Sequence, residues 1–275
     1  MISSTRNDQV KWFSSLYARK RRREERLLPV EGPHLLAEAW RAGLVPKVVF
    51  WSEEYQDQHG FLPLCRQSGT RVVAVTAAVM KAMTQTVTPQ GIAGAVPLPS
   101  PLAAEALNGA SLVAVADGIS DPGNLGTLIR TAHAAGAYGL VYTPGTVDPF
   151  NDKVIRSSMG SVFHLPLDER TAHEVIDWAR ETGALLIAGD VGGNESPYGL
   201  DLVGNCGVVV GNEARGPGDA FRRECRLVRL PMPGGTESLN VAVAGAILLY
   251  EVVRQRLGSL STDCENVTPL VPKWD

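Results

Sequence analysis

The sequence lacks several features that would have decided its class at once. No apolar run approaches the ~18 residues that a membrane-spanning helix needs, and no signal-peptide core is present. The four cysteines, Cys65, Cys206, Cys225 and Cys264, form no C-x-x-C pair, and the five histidines are scattered. That pattern argues against a metal site and for free thiols in a reducing compartment. Neither common phosphate-loop pattern occurs: there is no G-x-x-x-x-G-K-[ST], and no G-x-G-x-x-G follows a strand. Nucleotide hydrolysis on a P-loop and a standard dinucleotide fold are therefore disfavoured. Internal repeats and low-complexity tracts are absent as well.

What is present is ordinary in amount and uneven in placement. Of 275 residues, 44% are apolar and 20% charged, the composition of a globular chain with a sizeable core. The net charge is −3, yet residues 1–26 carry eight basic side chains against Asp8, Glu24 and Glu25. Such an arm, with Lys20, Arg21, Arg22 and Arg23 in one run, has the charge to contact RNA phosphates by releasing counterions. The competing reading is a solvated helix face. The acids within this stretch are unlike an organelle transit peptide, so a cytoplasmic location is expected.

The spacing of apolar residues divides the chain into two α/β units. Residues 1–95 read as helix 7–19, strand 27–32, helix 33–43, strands 47–51 and 71–75 with a helix between them, and strand 91–96. Residues 96–108, with Pro97, Pro99 and Pro101, read as a linker. Residues 109–259 alternate short, continuous apolar runs (112–117, 139–143, 162–167, 184–190, 207–211 and 226–230) with helical segments. The last helix covers about 239–257. Alternation of this kind implies a mostly parallel sheet with helices on both faces. Residues 260–275 read as a flexible tail.

In such a sheet ligands gather beyond the carboxyl ends of the strands. Three glycine-rich turns fall there: DGISDPGNLGTLIRTA (117–132), GNEARGPG (211–218) and LPMPGGTESLN (230–240). Taken singly, each is also compatible with a plain strand-to-helix connection. Asn124 or Ser238 alone is compatible with a helix cap, and Arg130 alone with a surface arginine. All three turns carrying polar groups at strand ends is the more specific observation.

The order N-x-G-x-x-x-R (Asn124–Arg130), G-N-E-x-x-G (Gly211–Gly216) and L-P-M-x-G-x-x-x-S-L-N-V-A-V-A (Leu230–Ala244) resembles the three motifs of the SpoU (TrmH) family. These are SPOUT-class RNA ribose 2′-O-methyltransferases that use S-adenosyl-L-methionine. The first unit, through LLPVEGPHLLAEAW and TVTPQGI, resembles the small ribosomal-protein-like α/β/α RNA-binding domain that often precedes the family domain. The resemblance implies a parallel sheet whose C-terminal chain makes a trefoil knot, an exception to the rule against threaded connections. It also implies a homodimer with active sites near the interface. The cofactor would lie bent against Gly211, Asn212, Leu230, Met232, Ser238, Leu239 and Asn240. Ala214 and Pro217 depart from the second motif, which puts substrate fit in question more than activity.

By the same resemblance, Arg130 stands nearest the ribose hydroxyl, and Asn124 orients it or the sugar. Glu213, Ser238 and Asn240 complete the catalytic pocket, and no metal is needed. A guanidinium pKa above ~12 makes Arg130 better suited to stabilising developing alkoxide charge and gripping a phosphate than to taking a proton. Arg156 is a further candidate RNA contact. Ribosomal RNA is expected over tRNA, and an antibiotic-resistance role is open. Two other readings stay in play: a non-catalytic RNA-binding or ribosome-assembly protein, and an unrelated α/β enzyme acting on a small nucleotide.

Overall fold

The computed structural model describes residues 1–102, 107 and 109–259; residues 103–106 and 108 of the expected linker and the whole 260–275 tail, with Cys264, lie outside them. Among the described residues ten strands fall into two sheets. The first sheet holds β1 (Leu27–Glu31), β2 (Val48–Trp51), β3 (Arg71–Ala74) and β4 (Ile92–Pro97) in the order β1-β4-β2-β3. Here β4 runs antiparallel to both neighbours, and β2 and β3 are parallel. The helices α1 (Asp8–Ser15), α2 (Arg19–Glu25), α3 (Pro33–Arg41), α4 (Phe61–Gln67) and α5 (Ala77–Met83) belong to this unit.

The second sheet holds β5 (Leu112–Ala116), β6 (Gly139–Tyr142), β7 (Leu167–Glu169), β8 (Leu185–Gly189), β9 (Cys206–Val210) and β10 (Arg226–Val228). Every neighbour pair is parallel, in the order β10-β8-β9-β5-β6-β7. Its helices are α6 (Pro122–Ala134), α7 (Asp152–Ser157), α8 (Ala172–Thr182), α9 (Asp219–Glu224) and α10 (Val241–Ser259).

Strand side chains alternate between two covered faces, which explains the continuous apolar runs. On β5, Leu112, Ala114 and Ala116 face the core that contains α6 and α10, while Val113 and Val115 pack with α8 and α9. The first of these cores also takes in Leu28, Val30, Leu35, Leu36 and Val49, so the two units share one apolar interior. From β10 at the sheet edge the chain returns to lay α10 over β9 and α6. Gly245 permits that packing, because a Cβ there would stand 2.8 Å from Leu128 and 2.9 Å from Val210.

Two expectations fail locally. The helix expected over 7–19 is split after Ser15. The guanidinium of Arg22 donates to the carbonyls of Leu16 and Tyr17, terminating α1, and α2 starts afresh at Arg19. The run 162–167 is not a strand. Gly160 at φ +86° turns the chain into a short 3-10 turn, so Val162, Phe163 and Leu165 are buried without ladder pairing, and β7 begins only after Pro166. Proline has no N–H to offer a ladder.

Candidate active site

The three glycine-rich turns follow β5, β9 and β10, at the carboxyl end of the parallel sheet. β5 and β9 are hydrogen-bonded neighbours, which brings the first two turns together. Asp117 ties them: its carboxylate accepts from the Thr143 hydroxyl at 2.7 Å and from the Gly218 N–H at 2.7 Å. The Asn212 amide donates to the Gly118 carbonyl at 2.8 Å.

Glu213 is the hub. Its carboxylate accepts from the Ser120 N–H (3.2 Å) and hydroxyl (2.9 Å), the Asp121 N–H (3.1 Å) and Asn124 Nδ2 (3.0 Å). A carboxylate only accepts, so Asn124 must present its NH2 to Glu213 and its carbonyl oxygen outward. That oxygen accepts from Asn240 Nδ2 at 2.9 Å. Asn240 in turn caps α10, its Oδ1 accepting from the Ala242 N–H at 2.9 Å. One chain of side-chain hydrogen bonds thus joins all three turns. Asn124 is not a cap, since Asp121 fills that role on α6. Burial pushes the Glu213 carboxyl up, but the hydrogen bonds from Asn124 and from backbone N–H groups outweigh it and hold the pKa at about 2.

Beside this bridge lies a cavity of about 290 Å³ between the second and third turns. Gly211, Asn212, Glu213, Leu230, Met232, Ser238 and Leu239 line it, over a floor of Val209, Val210, Ala244 and Leu248. Gly211 has no room for a side chain: a Cβ would overlap the backbone of Gly216 and Pro217. Asn212 and Gly216 close the turn with reciprocal backbone bonds of 3.0 and 2.8 Å. Asn240 is not part of the lining; it serves the bridge.

Residues that the motif reading missed also build the wall. Asp190, at the end of β8, is buried and pairs with Arg222 at 2.6 Å. Arg222 also donates to the carbonyls of Arg215 (2.8 Å) and Pro217 (2.9 Å), so the pair clamps the second turn. The available signal was an acid at the end of an apolar strand, in ALLIAGD.

Arg130 stands apart. It is exposed on α6, does not line the cavity, and makes no hydrogen bond or ion pair among the described residues. Both ends of the Asn124 amide are engaged elsewhere, so Asn124 does not orient Arg130 within this chain.

The basic arm needs correction. Arg22 is buried, ion-paired with Asp148 and bonded to the carbonyls that end α1; it is a structural residue and is not available to RNA. Arg21 pairs with Glu24 and Glu25, and Arg23 with Glu169 at 3.4 Å. Arg156 pairs with Asp152 at 2.8 Å. Lys20 keeps the most exposed charge, 3.9 Å from Glu24. Among the described residues no helix is long and apolar enough to cross a membrane, and no group of side chains is arranged to hold a metal ion.

The SpoU rRNA Methylase family model matches residues 111–250, the segment that contains all three turns. The chain belongs to this family. Residues 7–94 match the MRM3-like substrate binding domain. A 23S rRNA (guanosine(2553)-2′-O)-methyltransferase of Bacillus subtilis is 35% identical over 253 residues, covering 91% of this chain and 98% of that protein. An AdoMet-bound rRNA methyltransferase from Sinorhizobium meliloti superposes with a TM-score of 0.80 at 32% identity, over 92% of this chain and 97% of that one. The SpoU methyltransferase AviRb from Streptomyces viridochromogenes, in complex with AdoMet, gives 0.82 at 27% identity, over 92% and 99%. In family terms, the bridge and the cavity are built from all three motifs.

Proposed function

We propose that this protein transfers a methyl group from S-adenosyl-L-methionine to a ribose 2′-hydroxyl of 23S rRNA, in the cytoplasm. The observation that carries the reading is the cavity enclosed by the second and third turns and abutting the Glu213–Asn124–Asn240 bridge. Its donor set fits an adenosine-bearing ligand. Apolar Val209, Val210 and Leu248 offer a surface for a flat base, and Gly211 lets the second turn fold tightly back on Gly216 and Pro217 to form the cavity wall. Gly211, Leu230, Met232 and Leu239 would hold it. When bound, it supplies an electrophilic methyl group; the rest is positioning and electrostatics from the chain.

Proton management follows from the residues. Glu213, held near pKa 2, is too weak a base to take a hydroxyl proton at neutral pH. Asn124, Ser238 and Asn240 have no basic group to offer. The Arg130 guanidinium stabilises oxyanion character on the ribose as the proton leaves to solvent. The four-stranded unit holds the RNA, and Lys20 contributes a phosphate contact.

A second copy of the chain belongs to the same reading. Val243, Tyr250 and Leu257 recur every seven residues on α10 and are 45%, 49% and 51% exposed, an apolar stripe suited to another α10. The knotted path belongs to it too, since α10 must return from the edge strand to the middle of the sheet.

The test is incubation with labelled S-adenosylmethionine and either unmodified 23S rRNA or unmodified tRNA, followed by nucleoside mass spectrometry, with Arg130→Ala alongside. A 2′-O-methyl nucleoside made by the wild type and lost in the variant is expected. Label on a base, or on tRNA alone, would overturn the assignment.

A further inference from the structure

The helix that bears Arg130 is held at both ends, and the second hold comes from the other sheet. At its start, Asn124 is locked by Glu213 and Asn240. At its end, His133 stacks on His164, with ring centroids 5.4 Å apart and planes within 7°. His164 Nε2 lies 2.9 Å from Oε2 of Glu38, a residue of α3 in the four-stranded unit. The other Glu38 oxygen is taken by Arg41. A carboxylate only accepts, so His164 carries its proton on Nε2 and donates across the junction. His133 lies three residues beyond Arg130, on the same side of α6.

The chain beneath Glu38 is shaped to admit it. Gly160 adopts φ +86°, and a Cβ there would stand 2.6 Å from Glu38 Cβ. Met159, just before it, adopts φ +51°, a conformation that residues other than glycine rarely take. Two successive left-handed residues therefore carry the α7–β7 connection out from under α3. Strain retained in one place is held by surrounding contacts, and here those contacts are Glu38 and Leu35 of the other unit.

We infer that Glu38, His164 and His133 form a positioning unit that sets the substrate-binding sheet against the Arg130 helix. The inference rests on the reading of Arg130 as the group that meets the RNA ribose. An RNA held by both units binds more tightly when their relative placement is set beforehand, because less ordering remains to be done on binding. Burial, and then the neighbouring His164 ring, hold His133 below the ordinary histidine value, against the pull of Glu38. A neutral ring suits the stack. The charged or titratable groups at this junction are Glu38 and Arg41 from α3, His133 from α6 and His164 itself.

The test compares wild type with Glu38→Ala, His164→Ala and His164→Gln, the last keeping an N–H donor at similar reach. Backbone hydrogen exchange is read first, with no RNA present. Faster exchange is expected in the second half of α3 and in residues 131–136 for both alanine variants, with α8 unchanged; the glutamine variant, which keeps the donor to Glu38 and lacks the ring, should restore α3 and leave 131–136 fast. Kinetics on an unmodified 23S rRNA transcript are read second. KM for RNA should rise about five-fold in the alanine variants, with kcat and the KM for S-adenosylmethionine kept. A purely structural defect would lower kcat at saturating RNA instead. Unchanged exchange, or a glutamine variant no better than alanine, overturns the inference. If the wild type methylates no RNA, the functional reading fails, and the exchange data still decide this one.

Discussion

Replacing Glu213 by glutamine tests the bridge that joins the three turns. The carboxylate receives two donors from Ser120, one from the Asp121 backbone and one from Asn124. Glutamine can accept on one oxygen only and points an NH2 group at the remaining donors. The folded pKa of about 2, against an ordinary 4.5, sets an upper bound of ~3 kcal/mol on what ionised Glu213 contributes at neutral pH. Glu213 is exposed, so solvent screening reduces this to about 1–2 kcal/mol.

The sign over pH is fixed by the direction of the shift. A depressed carboxyl pKa contributes its full stability above the unfolded value, here 4.5, and loses it as pH falls toward 2. The assay is urea unfolding of wild type and Glu213→Gln at pH 7 and at successively lower pH. At pH 7 the variant should be weaker by about 1–2 kcal/mol, or roughly 3–6 °C in Tm. The gap should close below pH 4.5. Equal stability at pH 7, or a gap that persists undiminished at the acid end, would refute the account of Glu213 as an ionised hub. The same variant should bind S-adenosylmethionine more weakly by calorimetry, since Glu213 also lines the cavity.

Four further outcomes follow from the same geometry. Arg130→Ala should cut kcat by about 10²-fold or more while leaving calorimetric S-adenosylmethionine affinity unchanged, because the proposed role of Arg130 is charge stabilisation and it does not line the cavity. Gly211→Ala should weaken cofactor binding and lower Tm, since its Cβ overlaps the Gly216 backbone and forces the turn open; intact binding at an unchanged Tm would sink the account of that turn. Arg22→Ala should cost about 2–3 kcal/mol in urea unfolding by stranding half-buried Asp148 and removing the donor to the Leu16 and Tyr17 carbonyls. By contrast, Lys20→Ala should leave stability alone and flatten the salt dependence of RNA binding.

The architecture of the second unit was legible because its strands are covered on both faces, so each reads as a continuous apolar run ending in glycine or a polar turn. The site turns were legible for the same reason: a turn such as Gly211–Gly216 leaves no room for a side chain, and glycine records that constraint locally. What could not be read were contacts set by distant partners. The arm's run of arginines looks uniform in sequence, yet Arg22 is withdrawn by Asp148, 126 residues away, while Lys20 stays exposed. VFHLPL has the composition of a strand, but the turn at Gly160 and the missing N–H of Pro166 keep it out of the ladder. Asn124 reads equally well as a cap or a catalytic group, and only the carboxylate of Glu213 on one side and Asn240 on the other settle which way its amide points.

That arrangement also bears on how the reaction is driven. A site that needed a general base would keep a group titrating near neutrality beside the cavity. Here the hub carboxylate is held far below that range, and its neighbours Asn124, Ser238 and Asn240 do not titrate. Arg130 is the one cation that the proposed reading places at the ribose. The chain's own contribution is therefore fixed dipoles, a fixed charge and fixed distances. Such a site gains rate by holding the hydroxyl in line with the methyl donor. Its activity should then depend more steeply on how the start of α6 is anchored, at Asn124, than on the protonation of any single side chain.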